Sequence, residues 1–120
     1  VDGQYGAGAH TDYGTLTILL ADPVQDGLQV QDADGRWHGV HADRGSFVVN
    51  LGDAMARWTN DRWRSTMHRV VVPTGRRQSI AFFHNANWDA VIECLPTCVA
   101  AGQVPRYAPI EAGPHLMQKF

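Results

Sequence analysis

Thr15-Leu16-Thr17-Ile18-Leu19-Leu20 decides the fold class. The run is rich in β-branched residues, alternates, and stops at the turn residues Asp22-Pro23, as a strand does. Outward from it the same signal repeats. Gly27-Leu28-Gln29-Val30-Gln31 alternates apolar with polar, the pattern of a half-buried strand. Asp34-Gly35 then marks a hairpin, because both residue types tolerate positive φ, and Arg36 to Val40 is the return strand. Ser46 to Leu51, Met67 to Val72 (ended by Pro73), Arg77 to His84 and Val91 to Glu93 read as further strands. On Arg77 to His84, Ile80, Phe82 and His84 share one face, and Ala81 and Phe83 the other. Ala54 to Trp58 reads as a short helix with Asp53 as its N-cap. A second short helix is expected near Leu116 to Phe120. About seven short strands separated by frequent turns predict a mainly β fold, a sandwich or jelly roll. A chain of 120 residues makes one domain. We divide it into a strand-rich core, 1–90, and a looser Gly- and Pro-rich tail, 91–120.

Composition narrows the function. Apolar residues make up 44% and charged ones 18%, which excludes an intrinsically disordered chain. Ten basic against twelve acidic residues give a net charge of −2, no footprint for nucleic acid or an anionic membrane. No apolar run approaches the ~20 residues of a membrane-spanning helix, and the N-terminus lacks a signal-peptide pattern. Cys94 and Cys98 make no disulfide framework and read as reduced thiols in a cytoplasmic protein. The first residue is Val1, not Met, which reads as a piece of a longer chain.

The chemistry concentrates in His10-Thr11-Asp12 and His68. His10 and Asp12 are two apart, so on a strand both side chains point to one face. A jelly roll brings distant strands face to face, and His68, on its own strand, can supply a third ligand. Two histidines and a carboxylate make the facial triad of non-haem Fe(II) oxygenases, although zinc hydrolases use similar sets. Arg77 and Ser79 also share a face. A guanidinium pairs bidentately with a carboxylate and the hydroxyl adds a hydrogen bond, which makes a clamp for the far end of a dicarboxylic acid. Arg76 points the other way, to solvent.

Gly8-Ala9-His10-Thr11-Asp12-Tyr13-Gly14-Thr15-Leu16-Thr17, Gly27-Leu28-Gln29-Val30, Asn50-Leu51-Gly52-Asp53, Trp58-Thr59-Asn60-Asp61, Ser65-Thr66-Met67-His68-Arg69-Val70 and Arg77-Gln78-Ser79-Ile80-Ala81-Phe82-Phe83 stand in that order. As a set they resemble the C-terminal catalytic core of the 2-oxoglutarate- and Fe(II)-dependent dioxygenases of the isopenicillin N synthase-like family. The resemblance implies a double-stranded β-helix (jelly roll), here incomplete at its N-terminal side. It implies His10, Asp12 and His68 as iron ligands, and Arg77 and Ser79 as the residues holding the C5 carboxylate of 2-oxoglutarate. The implied reaction consumes O2 and 2-oxoglutarate, releases succinate and CO2, and hydroxylates, desaturates or cyclises a small organic substrate. The family's long N-terminal region is absent, and a complete fold is expected to need it. Alternatives are an iron oxidase that does not use 2-oxoglutarate, and a non-catalytic truncated remnant.

Other residues receive blander readings. Asn50 and Asn60 read as turn or cap residues, and Trp58, Trp63, Phe82 and Phe83 as core, with Phe83 also a candidate for the pocket wall. His38, His84 and His115 have no carboxylate two residues away, whereas His41 does, in Asp43, but in a turn. Gly6 and Gly8 read as points where backbone passes close to the site.

Overall fold

The computed structural model describes residues 5–24, 26–72 and 74–120. In chain order the elements are strands β1 (Tyr5–His10), β2 (Leu16–Leu20), β3 (Leu28–Gln31), β4 (Trp37–Gly39) and β5 (Val48–Leu51), helix α1 (Asp53–Trp58), strands β6 (His68–Val71), β7 (Ile80–His84), β8 (Val91–Ile92) and β9 (Ile110–Glu111), and helix α2 (Ala112–Met117). Pro73, expected to end the strand that became β6, lies outside the described residues, as do residues 1–4 and 25.

The strands pair antiparallel in three sheets, ordered β1-β6-β3-β4, β5-β2-β7 and β8-β9. The first two enclose a cavity of about 170 Å³, which takes Ala7, His10, Leu28, Val30, His68 and Val70 from one and Thr17, Leu19, Val48, Asn50, Ala81 and Phe83 from the other. This two-sheet jelly roll is the mainly β fold that alternation predicts. Its alternation also sorts β7, with Ala81 and Phe83 inward. Small residues (Ala42, Ala54, Ala56, Cys94) dominate the buried apolar set, beside Leu28 and Ile92. The interior between the sheets is therefore a binding space more than a packed core.

The two outer faces differ. On the four-stranded sheet, the Arg69 guanidinium lies 4.0 Å from the Trp37 ring centroid and 5.2 Å from that of Tyr5, and donates to Gln29. On the three-stranded sheet, the register aligns Ile18 with Val49 and Phe82, and Leu20 with Ile80. These side chains form an apolar face with Phe82 59% and Ile80 60% exposed. The expectation that Trp58, Trp63 and Phe82 are core is thus wrong for this chain, whereas Phe83 takes the pocket-wall place also expected of it. Trp58 and Trp63 are exposed, Phe82 stands on the uncovered face, and Phe83 lines the open cavity.

Three smaller expectations also change. Asp53 is the first residue of α1, not its cap; Gly52 is the N-cap and makes no side-chain cap bond. The helix amides are satisfied instead by the preceding loop, with Asp53 N–H donating to Asp12 O at 2.8 Å and Ala54 N–H to Gly14 O at 3.0 Å. The last helix begins at Ala112, four residues before the expected start, because Gly113 and Pro114 fall in its first turn, where an intrahelical N–H is not needed. Residues 5–10 form a strand that Gly6, Ala7, Gly8 and Ala9 conceal, having no more than a methyl group to alternate.

The segment after α1 packs back on it. Leu95 N–H donates to Trp58 O at 2.9 Å, and Asn60 Oδ1 accepts from Arg106 N–H at 2.8 Å. Asn60 and Asp61 sit at φ 53° and 62°, the left-handed region that Asn and Asp tolerate, so Asn60 is a turn residue as expected. Asp61 accepts from the Tyr107 hydroxyl at 2.8 Å, and this bond raises the Tyr107 pKa above its ordinary value.

Candidate metal centre

β1 ends on His10, and Thr11 carries the chain to Asp12, whose side chain is buried. His68 opens β6 directly opposite His10 in the β1–β6 register. Asp12 Oδ1 lies 3.5 Å from His68 Nε2 and 3.8 Å from His10 Nε2, and ligand atoms of all three fall within 4.8 Å of one another. The two imidazole centroids are 4.3 Å apart. Among the described residues this is the one cluster of three or more His, Cys, Asp or Glu with such spacing.

Each imidazole is aimed by the carbonyl two residues before it. His10 Nδ1–H donates to Gly8 O at 2.7 Å, and His68 Nδ1–H to Thr66 O at 2.9 Å. A carbonyl only accepts, so each Nδ1 carries a proton, and each Nε2 is left facing Asp12. A ring anchored through its outer nitrogen is the usual arrangement of a metal-bound histidine. Gly8 contributes this carbonyl rather than close approach, for a Cβ there would meet nothing within 4 Å. At Gly6 the added Cβ would make ordinary contact with Val70, 3.4 Å away. Close approaches near the site are at Gly14 and Gly52, where a Cβ would overlap Asn85 Oδ1 and the Gly14 carbonyl respectively; Gly113, also tight, packs on the Trp88 ring away from it.

Asp12 is oriented as firmly. Thr17 Oγ1 donates to its Oδ2 at 2.5 Å, and Asn50 Nδ2 to the same oxygen at 2.8 Å. Asn50 is therefore no cap or turn residue: it lies on β5 and reaches the carboxylate across the cavity. The available signal was a polar side chain at an inward position of the apolar run Phe47 to Leu51.

Arg77 and Ser79 line the same cavity as His10, Asp12 and His68. Arg77 Nη1 donates to Ser79 Oγ at a long 3.4 Å, and Arg77 Nε is buried without a hydrogen-bond partner among the described residues. A buried guanidinium N–H lacking an acceptor is costly unless a ligand brings one, and a carboxylate is the best match. Two imidazole nitrogens and one carboxylate oxygen likewise suit Fe(II), leaving coordination positions open for small ligands.

The remaining histidines stay apart from the cluster. His38 pairs with Asp32 at 2.6 Å, and His84 Nδ1 bonds Thr15 Oγ1 at 2.7 Å. His41 pairs with Asp26 at 2.8 Å, not with Asp43, and this hydrogen bond raises its pKa. His115 is buried on α2. Cys94 and Cys98 are free thiols, Cys94 donating to Arg57 O at 3.3 Å.

A jelly-roll cavity that gathers two imidazoles and a carboxylate is the setting of mononuclear non-haem iron enzymes. The chain belongs to the 2OG-Fe(II) oxygenase superfamily, whose family model matches residues 1–86. It is 54% identical over 107 residues to the 2-oxoglutarate-Fe(II) type oxidoreductase hxnY of Emericella nidulans, covering 88% of this chain and 30% of that protein. To homoarginine-6-hydroxylase 2-ODD-233 of Oryza sativa subsp. japonica it is 40% identical over 116 residues, 95% of this chain and 35% of that one. A full-length Neurospora crassa protein, solved in complex with alpha-KG and thymine, superposes with a TM-score of 0.91 at 41% identity, over 98% of this chain and 37% of that one. The chain thus spans about a third of the length of these relatives.

Proposed function

We propose that the protein containing this chain is an Fe(II)- and 2-oxoglutarate-dependent oxygenase acting on a small organic molecule. The convergence of His10, Asp12 and His68 on the wall of the cavity that also holds Arg77 carries the reading. His10 Nε2, Asp12 Oδ1 and His68 Nε2 are the metal ligands. Bound iron supplies the redox chemistry by which O2 and 2-oxoglutarate become succinate, CO2 and one oxygen atom for the substrate. The chain's own residues do the positioning. Arg77 and Ser79 hold the distal carboxylate of 2-oxoglutarate, and Arg77 Nε gains the acceptor it lacks. Leu28, Val30, Val70 and Phe83 give the cavity an apolar wall beside these groups, against which an organic substrate can lie.

The ordered set of matching segments supports the isopenicillin N synthase-like branch. Two free cysteines support a reducing, cytoplasmic setting. The uncovered face around Ile18, Val49 and Phe82 supports a need for further polypeptide to complete the fold.

The test is anaerobic titration of the full-length protein with Fe(II) and then 2-oxoglutarate, following the visible charge-transfer band of the chelate. The band should appear and His68→Ala should abolish it. Iron binding without a band would refute 2-oxoglutarate as cosubstrate, and unchanged iron binding in His68→Ala would refute the ligand set.

A further inference from the structure

Two side chains outside the ligand set grip Asp12. Thr17 and Asn50 are partners across the β2–β5 register and both reach Oδ2, leaving Oδ1 toward the imidazoles. We propose that Thr17 and Asn50 are positioning residues that fix Asp12 as a one-oxygen ligand, so that the coordination position a second carboxylate oxygen would take stays open for exogenous ligands. The inference rests on the reading of His10, Asp12 and His68 as the metal ligands.

A carboxylate free to rotate can offer an ion both oxygens. Oδ2 here receives two hydrogen bonds, one of them a short hydroxyl bond, and bonds to an ionised acceptor are the strong ones. Asp12 is 7% exposed and Thr17 4%, so water cannot readily replace these donors if the carboxylate turns. Asn50 must present Nδ2, because its carbonyl oxygen would repel the carboxylate. The donors also come from the sheet opposite the ligands' own: Asp12 follows β1 and His68 lies on β6, whereas the clamp belongs to β2 and β5. The same two bonds therefore fix the carboxylate and tie the sheets together at the site.

The test uses Co(II) in the full-length protein under anaerobic conditions, reading its affinity and its visible d–d absorption, whose intensity reports coordination number. Thr17→Val and Asn50→Leu should each weaken Co(II) binding about 10-fold to 100-fold and alter the d–d intensity. Thr17→Ser, which keeps the hydroxyl, should restore both. Unfolding midpoints and circular dichroism show which variants remain folded; if one clamp variant does not fold, the other decides. Wild-type affinity and spectrum in a folded Thr17→Val or Asn50→Leu would overturn the proposal, as would failure of Thr17→Ser to restore them. Failure of the wild type itself to bind Co(II), or undiminished binding by His68→Ala, would instead overturn the ligand set on which it rests.

Discussion

Replacing Gly52 by alanine tests how tightly the fold and the site are joined. Gly52 has extended backbone (φ −100°, ψ 178°), so alanine meets no conformational penalty there. The obstacle is steric. An added Cβ would overlap the Gly14 carbonyl and sit 3.0 Å from Asp12 O. Both neighbours are backbone, so relief requires moving α1 away from the 12–15 loop. That motion stretches the Asp53 N–H bond to Asp12 O (2.8 Å) and the Gly52 N–H bond to Thr15 O (3.0 Å). Two such bonds are worth about 1 kcal/mol each, and overpacking adds about 1–3 kcal/mol. The expected loss is about 3–5 kcal/mol, a large share of the ~5–15 kcal/mol of a typical domain. Urea unfolding of the full-length protein at 25 °C measures it, with Gly39→Ala as control. A Cβ at Gly39 meets nothing within 4 Å, and that variant should stay within about 0.5 kcal/mol of wild type. A Gly52→Ala loss no larger than that of the control would refute the claim that the α1 junction has no room. Metal affinity should fall in parallel, because the strained contact includes the backbone of Asp12.

Arg77→Ala should raise the 2-oxoglutarate concentration needed for half-saturation about 100-fold, from loss of charge-assisted bonds worth together about 3 kcal/mol. Arg77→Lys, keeping charge without the fork, should fall between, and an unchanged requirement in both would misplace the clamp. Burial first, then the charges of Lys119 and Arg57, depress the His115 pKa below 6.5, against an opposing pull from Asp53. The unfolded chain then binds the extra proton, so this contribution to stability is complete above the unfolded value and is lost as pH falls below about 6.5 toward the depressed folded value. Urea midpoints between pH 7.5 and 5.5 should drop less in His115→Leu than in wild type, and equal slopes would exclude His115 as the source.

What the sequence made legible follows from side-chain pattern. Strands with branched, alternating residues, such as Leu16–Leu20 and Ile80–His84, announce themselves; the nearness of His10 and Asp12 is legible from their spacing, although Asp12 lies past the end of β1 and not on it. β1 did not, since a run of Gly and Ala offers little contrast between faces, although it carries His10. The aromatic residues misled for a related reason. Phe82 looks like core by composition, but burial depends on what lies across from it, and no element among the described residues covers the outer face of β5-β2-β7. Asn50 was misread because its role depends on a carboxylate thirty-eight positions away. Only the folded sheets reveal that distance as a hydrogen bond.

His10 and His68 face each other on neighbouring antiparallel strands. Side chains alternate, so sliding β6 by one residue would turn His68 outward and bring Arg69 or Met67 into its place. An ion gripped by both rings can bind only the chain whose strands are correctly aligned. Binding confined to one alignment shifts the population toward it by mass action. With His10 and His68 as the proposed ligands, metal binding becomes a gauge of strand alignment: titrating metal into refolding protein would report the molecules in which two segments far apart along the chain have found their proper partners.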